Sequence, residues 1–382
     1  FSAGWRINQE SFMQDASWID NLKLRASWGQ LGNINNVGQY DYFSTYVQGG
    51  NYNFENTIVS GIREGKPANP GLGWETVTIT NVGVDFDILN GLFSFTGEFY
   101  DKQTKDILLS YPSPAEVGIN KDYKVSQNIG KVSNKGLEFN VSHNNNIGDF
   151  SYTVGFNLSK NWNKVKDLGA NDPMIEDPWI KKVGYAIGTF YGFRTDGLLT
   201  QEDIDNGNYI TDGITPQAGD IKYVDLDGDG QITTNDREIV GYTDPKGYGG
   251  ISTTLNYKNW TLNVIFNYVY GNDVFNRSYH EYTLGAGYGT LNMFNDELNR
   301  WSVNNTSGSI PRAHSNNLDR MLISSRVMQD GSYLRMKNVT LNYQFPLKWI
   351  NKVGLSNLNL YVSGENLLTW TGFKGADPES VG

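Results

Sequence analysis

The chain has 382 residues, with 31 Lys and Arg against 41 Asp and Glu, a net charge of −10 and a mean hydropathy of −0.48. The acidic balance argues against a phosphate-binding surface for nucleic acid. The absence of cysteine removes disulfides, Cys-based zinc sites and thiol nucleophiles, and no run of 18 apolar residues offers a transmembrane helix.

A transmembrane β-barrel stays open, because each strand shows one apolar face and the average hydropathy then resembles that of a soluble protein. Aromatics at 13% and 43 glycines favour strands and turns. In chain order, period-two alternation predicts the strands. The chain opens at Phe1 to Ile7, which reads as mid-strand. Leu22, Leu24, Ala26 and Trp28 share one face opposite Lys23, Arg25 and Ser27. Val82, Val84, Phe86 and Ile88 oppose Asn81, Gly83, Asp85 and Asp87; Phe93, Phe95 and Phe99 oppose Ser94, Thr96 and Glu98. The pattern returns in Leu137, Phe139 and Val141, in Tyr152, Val154, Phe156 and Leu158, in Trp260, Leu262, Val264 and Phe266, and in Leu358, Leu360 and Val362. The opposite faces are mostly uncharged or acidic. That suits the wall of a water-filled lumen, whereas a soluble sandwich dots its outer face with Lys and Arg.

The connections sharpen the choice. Asn90-Gly91 predicts a type I′ hairpin turn, since both central residues need positive φ. Further tight turns are expected at Asn146 to Asp149 and at Lys258-Asn259, while the links Thr104 to Gln127, Val165 to Gly249 and Gly271 to Tyr333 are long. Tight turns at one end and long loops at the other predict an all-β, antiparallel transmembrane β-barrel with short periplasmic turns and long extracellular loops. A soluble all-β sandwich is the competing reading. Trp260, Tyr268, Tyr270, Tyr343, Tyr361 and Trp370 are candidates for interface girdles, and packing alone explains them equally well. The chain stops shortly after Asp377-Pro378-Glu379, a loop opening, so it reads as part of a larger polypeptide.

One motif is sharp. Asp225 to Asp236 reads as a twelve-residue calcium loop inserted in a long extracellular loop. Asp225, Asp227 and Asp229 stand at positions one, three and five, so three carboxylates converge on one Ca2+ ion. Gly230 permits the turn at six, the Gln231 carbonyl serves seven, Ile232 is an apolar anchor, and Thr233 serves nine directly or through water. Asp236 takes position twelve, where Glu is usual. The plain alternative is a solvated Asp/Gly turn. A structural role fits, since sites with Kd of roughly 10⁻⁴ to 10⁻³ M suffice outside cells.

No other motif in the sequence carries a catalytic pattern. His143, His280 and His314 have no metal-ligand spacing, and Gly285 to Gly289 is glycine-rich without a βαβ pattern. Tyr282, Tyr288 and Trp301 are candidates for stacking on sugar rings, with loop packing as the plainer role. No enzyme is predicted.

Several blocks together resemble one family. Leu22 to Asn33 (Leu-Lys-Leu-Arg-Ala-Ser-Trp-Gly-Gln-Leu-Gly-Asn), Asn69-Pro70 with Leu72, Trp74 and Glu75, Ile129 to Glu138, Gly219 to Tyr223 leading into the acidic loop, Ser332 to Leu341, and Ser363 to Thr371 with Asp377-Pro378-Glu379 are similar to blocks of the SusC/RagA family of TonB-dependent outer-membrane transporters of Bacteroidetes. The resemblance implies a 22-stranded barrel in the cell outer membrane, with a plug, a TonB box and a SusD-like surface lipoprotein as lid. Residues 1–382 would be the C-terminal portion of that barrel domain, with the plug, the N-terminal strands and the final strand outside it. The implied partners are TonB, the lipoprotein, outer-membrane lipid and an imported oligosaccharide or, in some members, a peptide. No family motif carries substrate contacts onto residues here. From a different class, a secreted calcium-binding β-rich glycan-binding module is the alternative, and a glycoside hydrolase the third.

Overall fold

A computed structural model gives the fold and describes residues 1–35, 37–38, 42–65, 69–112, 124–206, 210–211, 216–283, 292–313 and 323–379. Ten antiparallel strands form one sheet in sequence order: β1 (Ser2–Arg6), β2 (Ile19–Asn33), β3 (Glu75–Ile88), β4 (Phe93–Pro112), β5 (Lys124–Ile147), β6 (Phe150–Asp167), β7 (Gly247–Tyr257), β8 (Trp260–Tyr270), β9 (Tyr333–Gln344) and β10 (Asn359–Thr371). Among the described residues no helix is long and apolar enough to cross a membrane, which leaves strands untouched as membrane-crossing elements.

Register turns the local alternation into two continuous surfaces. Across nine strands, Leu22, Phe86, Phe95, Val141, Phe156, Ile251, Phe266, Met336 and Leu368 are successive partners. One residue away on the opposite face, the partners are Lys23, Asp85, Thr96, Asn140, Asn157, Gly250, Asn267, Arg335 and Thr369. The first row is apolar throughout and none of it is buried: Val141, Phe156 and Leu368 keep 39%, 41% and 52% of their surface, and the others are half-buried. Such a band is what hydrocarbon covers in an outer-membrane barrel. A soluble sandwich would bury it under a second sheet, and no such sheet covers it among the described residues. A third row, Ile147, Phe150, Tyr257, Trp260, Tyr343 and Leu360, runs along the tight-turn end. The Trp260 and Tyr343 rings there lie 4.6 Å apart, as amphipathic rings at a membrane interface do.

The tight-turn end carries Leu89–Leu92, Gly148–Asp149 and Lys258–Asn259, together with Ile7–Trp18 and Phe345–Leu358. The Asn90-Gly91 turn is wider than two residues. Leu89, Asn90 and Gly91 have φ of 57°, 59° and 75°, and the Gly91 amide donates to Asp20 at 2.9 Å. The long links leave the other end, with one correction. Thr104 to Gln127 is expected as a loop, but β4 and β5 continue pairing from Thr104↔Val132 through Ile107↔Gly130 to Pro112↔Lys124. A bulge at Asp106 (φ 58°) breaks the alternation there, so ladder residues read as a turn. A spanning strand needs about 9–11 residues. The 11 of β7 and of β8 suffice, and the 20, 24 and 18 of β4, β5 and β6 project past the bilayer.

The buried apolar core lies in the long loops, because wall side chains face lipid or lumen. Leu168 to Lys246 holds a four-stranded sheet (Met174–Glu176, Trp179–Lys181, Thr189–Phe193, Arg237–Tyr242). Phe193, Ile221, Tyr223 and Ile232 form a cluster beside it, with Leu198 packed on.

Candidate functional site

The acidic loop stands on that cluster. Ile232, 2% exposed, inserts into it and anchors the loop from below. Above, one carboxylate oxygen from each of Asp225, Asp227 and Asp229 lies within 4.8 Å of the others. Gly228 and Gly230 (φ 77° and 81°) take left-handed backbone that L side chains rarely adopt. Their amides donate to the two Asp225 oxygens at 2.6 and 2.8 Å. Asp229 and Gln231 amides donate in turn to Asp227 (3.3 Å) and Asp229 (2.7 Å). The Gly230 amide above all holds the Asp225 carboxyl below the usual carboxylate range, so it stays ionised. A concave, oxygen-only donor set with no nitrogen or sulfur suits a hard cation such as Ca2+.

The remaining predicted residues take different places. Thr233 Oγ1 accepts the Asn235 amide at 3.2 Å. Asp236 is fully buried, and its two oxygens accept the amides of Leu226 (2.8 Å) and Thr233 (2.7 Å). It ties the loop's two ends together and lies outside the three-carboxylate group. Among the other candidates, His143 sits between Phe93 and Tyr152 (4.4 and 5.4 Å between ring centres) on the lipid-side face. His280 is buried in Arg277–Thr283. Tyr282 packs against Phe294, and Trp301 lies over Gly219, where a Cβ would meet its ring at 2.3 Å. His314, Tyr288 and Gly285 to Gly289 lie outside the described residues.

Two charged ties brace this region. Asp203 accepts Lys222 Nζ at 2.7 Å, and the Thr200 amide and hydroxyl each at 2.8 Å, which caps the helix Gln201–Asp205. The Lys222 ammonium first, and then the Thr200 amide, drive the Asp203 carboxyl from 3.8 down to about 2. A depressed carboxyl stabilises the fold fully above its unfolded value and loses that contribution as pH falls toward the folded one. Hydrogen-exchange protection of residues 201–205 is therefore expected to fall between about pH 3.8 and about pH 2, and Asp203→Asn to lack that step; an unchanged profile in the variant would refute the assignment. The second tie was invisible in the sequence, since its partners are 42 and 44 residues apart. Arg335, 4% exposed on the lumen-side face of β9, pairs with Asp377 and Glu379 at 2.5 Å each, while Tyr333 donates to Glu379 at 2.8 Å. The segment after β10 is thus folded back onto the wall.

The comparisons agree with this architecture. Residues 2–243 match the family model "TonB dependent receptor-like, beta-barrel". Over 98% of its length the chain is 33% identical to TonB-dependent receptor P3 of Formosa agariphila and 29% identical to TonB-dependent receptor SusC of Bacteroides thetaiotaomicron, spanning 37% of each. Its fold is similar to the solved RagAB peptide transporter (TM-score 0.80, 24% identity, 99% of this chain and 40% of that one). The chain therefore spans about two fifths of the length of its relatives, which are receptors and transporters and not enzymes. With its apolar band, its polar inner face and this kinship, the chain belongs to the TonB-dependent receptor family and forms part of an outer-membrane β-barrel.

Proposed function

We propose that the protein to which this chain belongs imports an oligosaccharide across the outer membrane, driven by TonB and closed on the outside by a SusD-like surface lipoprotein. The observation that carries the reading is the lumen face. The row from Lys23 to Thr369 is hydroxyl-, amide- and charge-bearing with no apolar side chain, a wall suited to a hydroxyl-rich solute. Kinship with SusC supports the TonB coupling. The long loops form the outer vestibule, since barrels of this class place their long loops outside the cell. Within it, Asp225, Asp227 and Asp229 hold a structural Ca2+, aided by the Gln231 carbonyl and Thr233, while Asp236 closes the loop.

Uptake of labelled tetra- to octasaccharides by the native bacterium tests the reading. Import that stops on deleting the gene, and on collapsing the proton gradient that energises TonB, is the expected result. Peptide uptake in place of sugar uptake would overturn the substrate class and leave the coupling.

A further inference from the structure

Resting on the import reading, we propose that a lumen-side cleft of about 440 Å³, lined by Tyr100, Lys102, Asn134, Asn161, Asp244 and Tyr248, is a subsite for one sugar ring of the imported oligosaccharide. The volume lies within the roughly 300–1,000 Å³ of ligand pockets. Register places its wall residues together: Tyr100, Gly136 and Asn161 are successive partners on β4, β5 and β6, and Lys102, Asn134 and Asn163 are the next such row. These rows share a face with Glu98, Glu138 and Tyr248, the polar face of the sheet. Asp244 and Pro245 reach the cleft's rim from the long loop, where Lys160 Nζ donates to the Pro245 carbonyl at 2.8 Å.

The cleft is built, and its polar groups are only partly used among the described residues. Tyr100 lies against Gly136, where a Cβ would stand 2.3 Å from the ring, so any larger residue there displaces it. Its hydroxyl donates to Asn161 Oδ1 at 3.1 Å. Asn134 Oδ1 accepts Asn163 Nδ2 at 2.7 Å and Asn161 Nδ2 at 3.4 Å, which aims the Asn134 amide nitrogen away from those bonds. Among the described residues, neither that nitrogen, the Lys102 ammonium nor the Asp244 carboxylate has a hydrogen-bond partner. Burial raises the Asp244 carboxyl despite the nearby Lys160 charge, so this acceptor is partly dehydrated without a donor to compensate.

One carboxylate acceptor, two nitrogen donors and two phenol rings around a single cleft match a pyranose ring. Vicinal hydroxyls donate to Asp244 and accept from Asn134 and Lys102, and the C–H face of the ring rests on a tyrosine. A peptide would ask for side-chain pockets, and the only side chain of the lining without a polar or charged group is that of Pro245.

The test uses the full-length transporter in detergent with its lipoprotein, probed by defined α-glucan, fructan and β-mannan oligosaccharides and by a tryptic peptide pool. For the sugar bound by wild type, Asp244→Asn and Tyr248→Ala are each expected to weaken binding about tenfold or more, with outer-membrane abundance unchanged. Lys102→Met, which alters an exposed side chain, gives an additional reading if Tyr248→Ala fails to assemble. If wild type binds an oligosaccharide and Asp244→Asn and Lys102→Met bind it within twofold of wild type, the subsite is wrong and the import reading stands. Binding of peptide but of no sugar would overturn both.

Discussion

Phe156→Arg is expected to destabilise the membrane-inserted barrel by about 2–4 kcal/mol, while Asn140→Lys stays within about 0.5 kcal/mol. Phe156 is paired with Val141, the chain neighbour of Asn140, so the two substitutions lie at nearly the same height on opposite faces. Six residues separate Phe156 from Phe150 in the aromatic row at the tight-turn end. At about 3.3 Å per residue and a tilt of about 45°, that distance is about 14 Å of height, near the middle of a hydrocarbon layer of about 25–30 Å. An arginine there loses its hydration, with neither interface within easy reach of its side chain, and no partner faces it in the apolar row. A lysine at 140 stands in water beside Thr96 and Asn157. Equilibrium unfolding of the full-length protein in lipid vesicles measures both. Equal losses would mean that the lipid and lumen faces have been assigned wrongly.

Calcium removal should produce the second large effect, and two aspartates separate what the ion does from what the chain does. Without a cation the Asp225, Asp227 and Asp229 oxygens, within 4.8 Å of one another, repel. With calcium at about ten times Kd, binding adds a factor of about ten to the closed loop's population, so chelation is expected to cut hydrogen-exchange protection of residues 225–236 about tenfold. Asp227→Ala should reproduce the chelated state and become insensitive to chelator. Asp236→Ala should behave differently. It orphans the Leu226 and Thr233 amides, at about 1–3 kcal/mol each, and loosens the loop with or without the ion. Calorimetry showing no calcium uptake by wild type, with Asp227→Ala indistinguishable from it, would falsify the site.

Much of the wall was legible because its determinants are local. Side chains alternate along a strand whatever the neighbouring strand is, so Leu22 to Trp28 or Trp260 to Phe266 declare their faces without a partner. Lys258 and Gly148 mark turns through their own positive φ. The clustering of the Asp225, Asp227 and Asp229 carboxylates was equally legible, being set within one contiguous stretch. Reading Thr104–Pro112 and Lys124–Gln127 as loop has a physical cause, since a bulge at Asp106 spoils the alternation while the ladder continues around it, and residues 113–123 between them lie outside the described residues. The four-stranded sheet within Leu168 to Lys246 is not legible in the sequence because its strands are three to six residues long, too short for a period to register.

By itself, then, the sequence determined which face of each strand is apolar, where the chain turns tightly, and that three carboxylates can meet at one point. Tertiary structure decided what those faces become. Register aligned nine separate alternations into a lipid band and a polar wall, assigned Asp236 to closing its loop instead of joining the other carboxylates, clasped Arg335 with Asp377 and Glu379, and gathered Tyr100, Asn134, Asp244 and Tyr248 around one cleft. The division follows from range. Alternation and turn chemistry act between residues a few positions apart, whereas register, clasp and cleft join residues tens to more than a hundred positions apart, whose meeting is set only when the sheet and its loops pack.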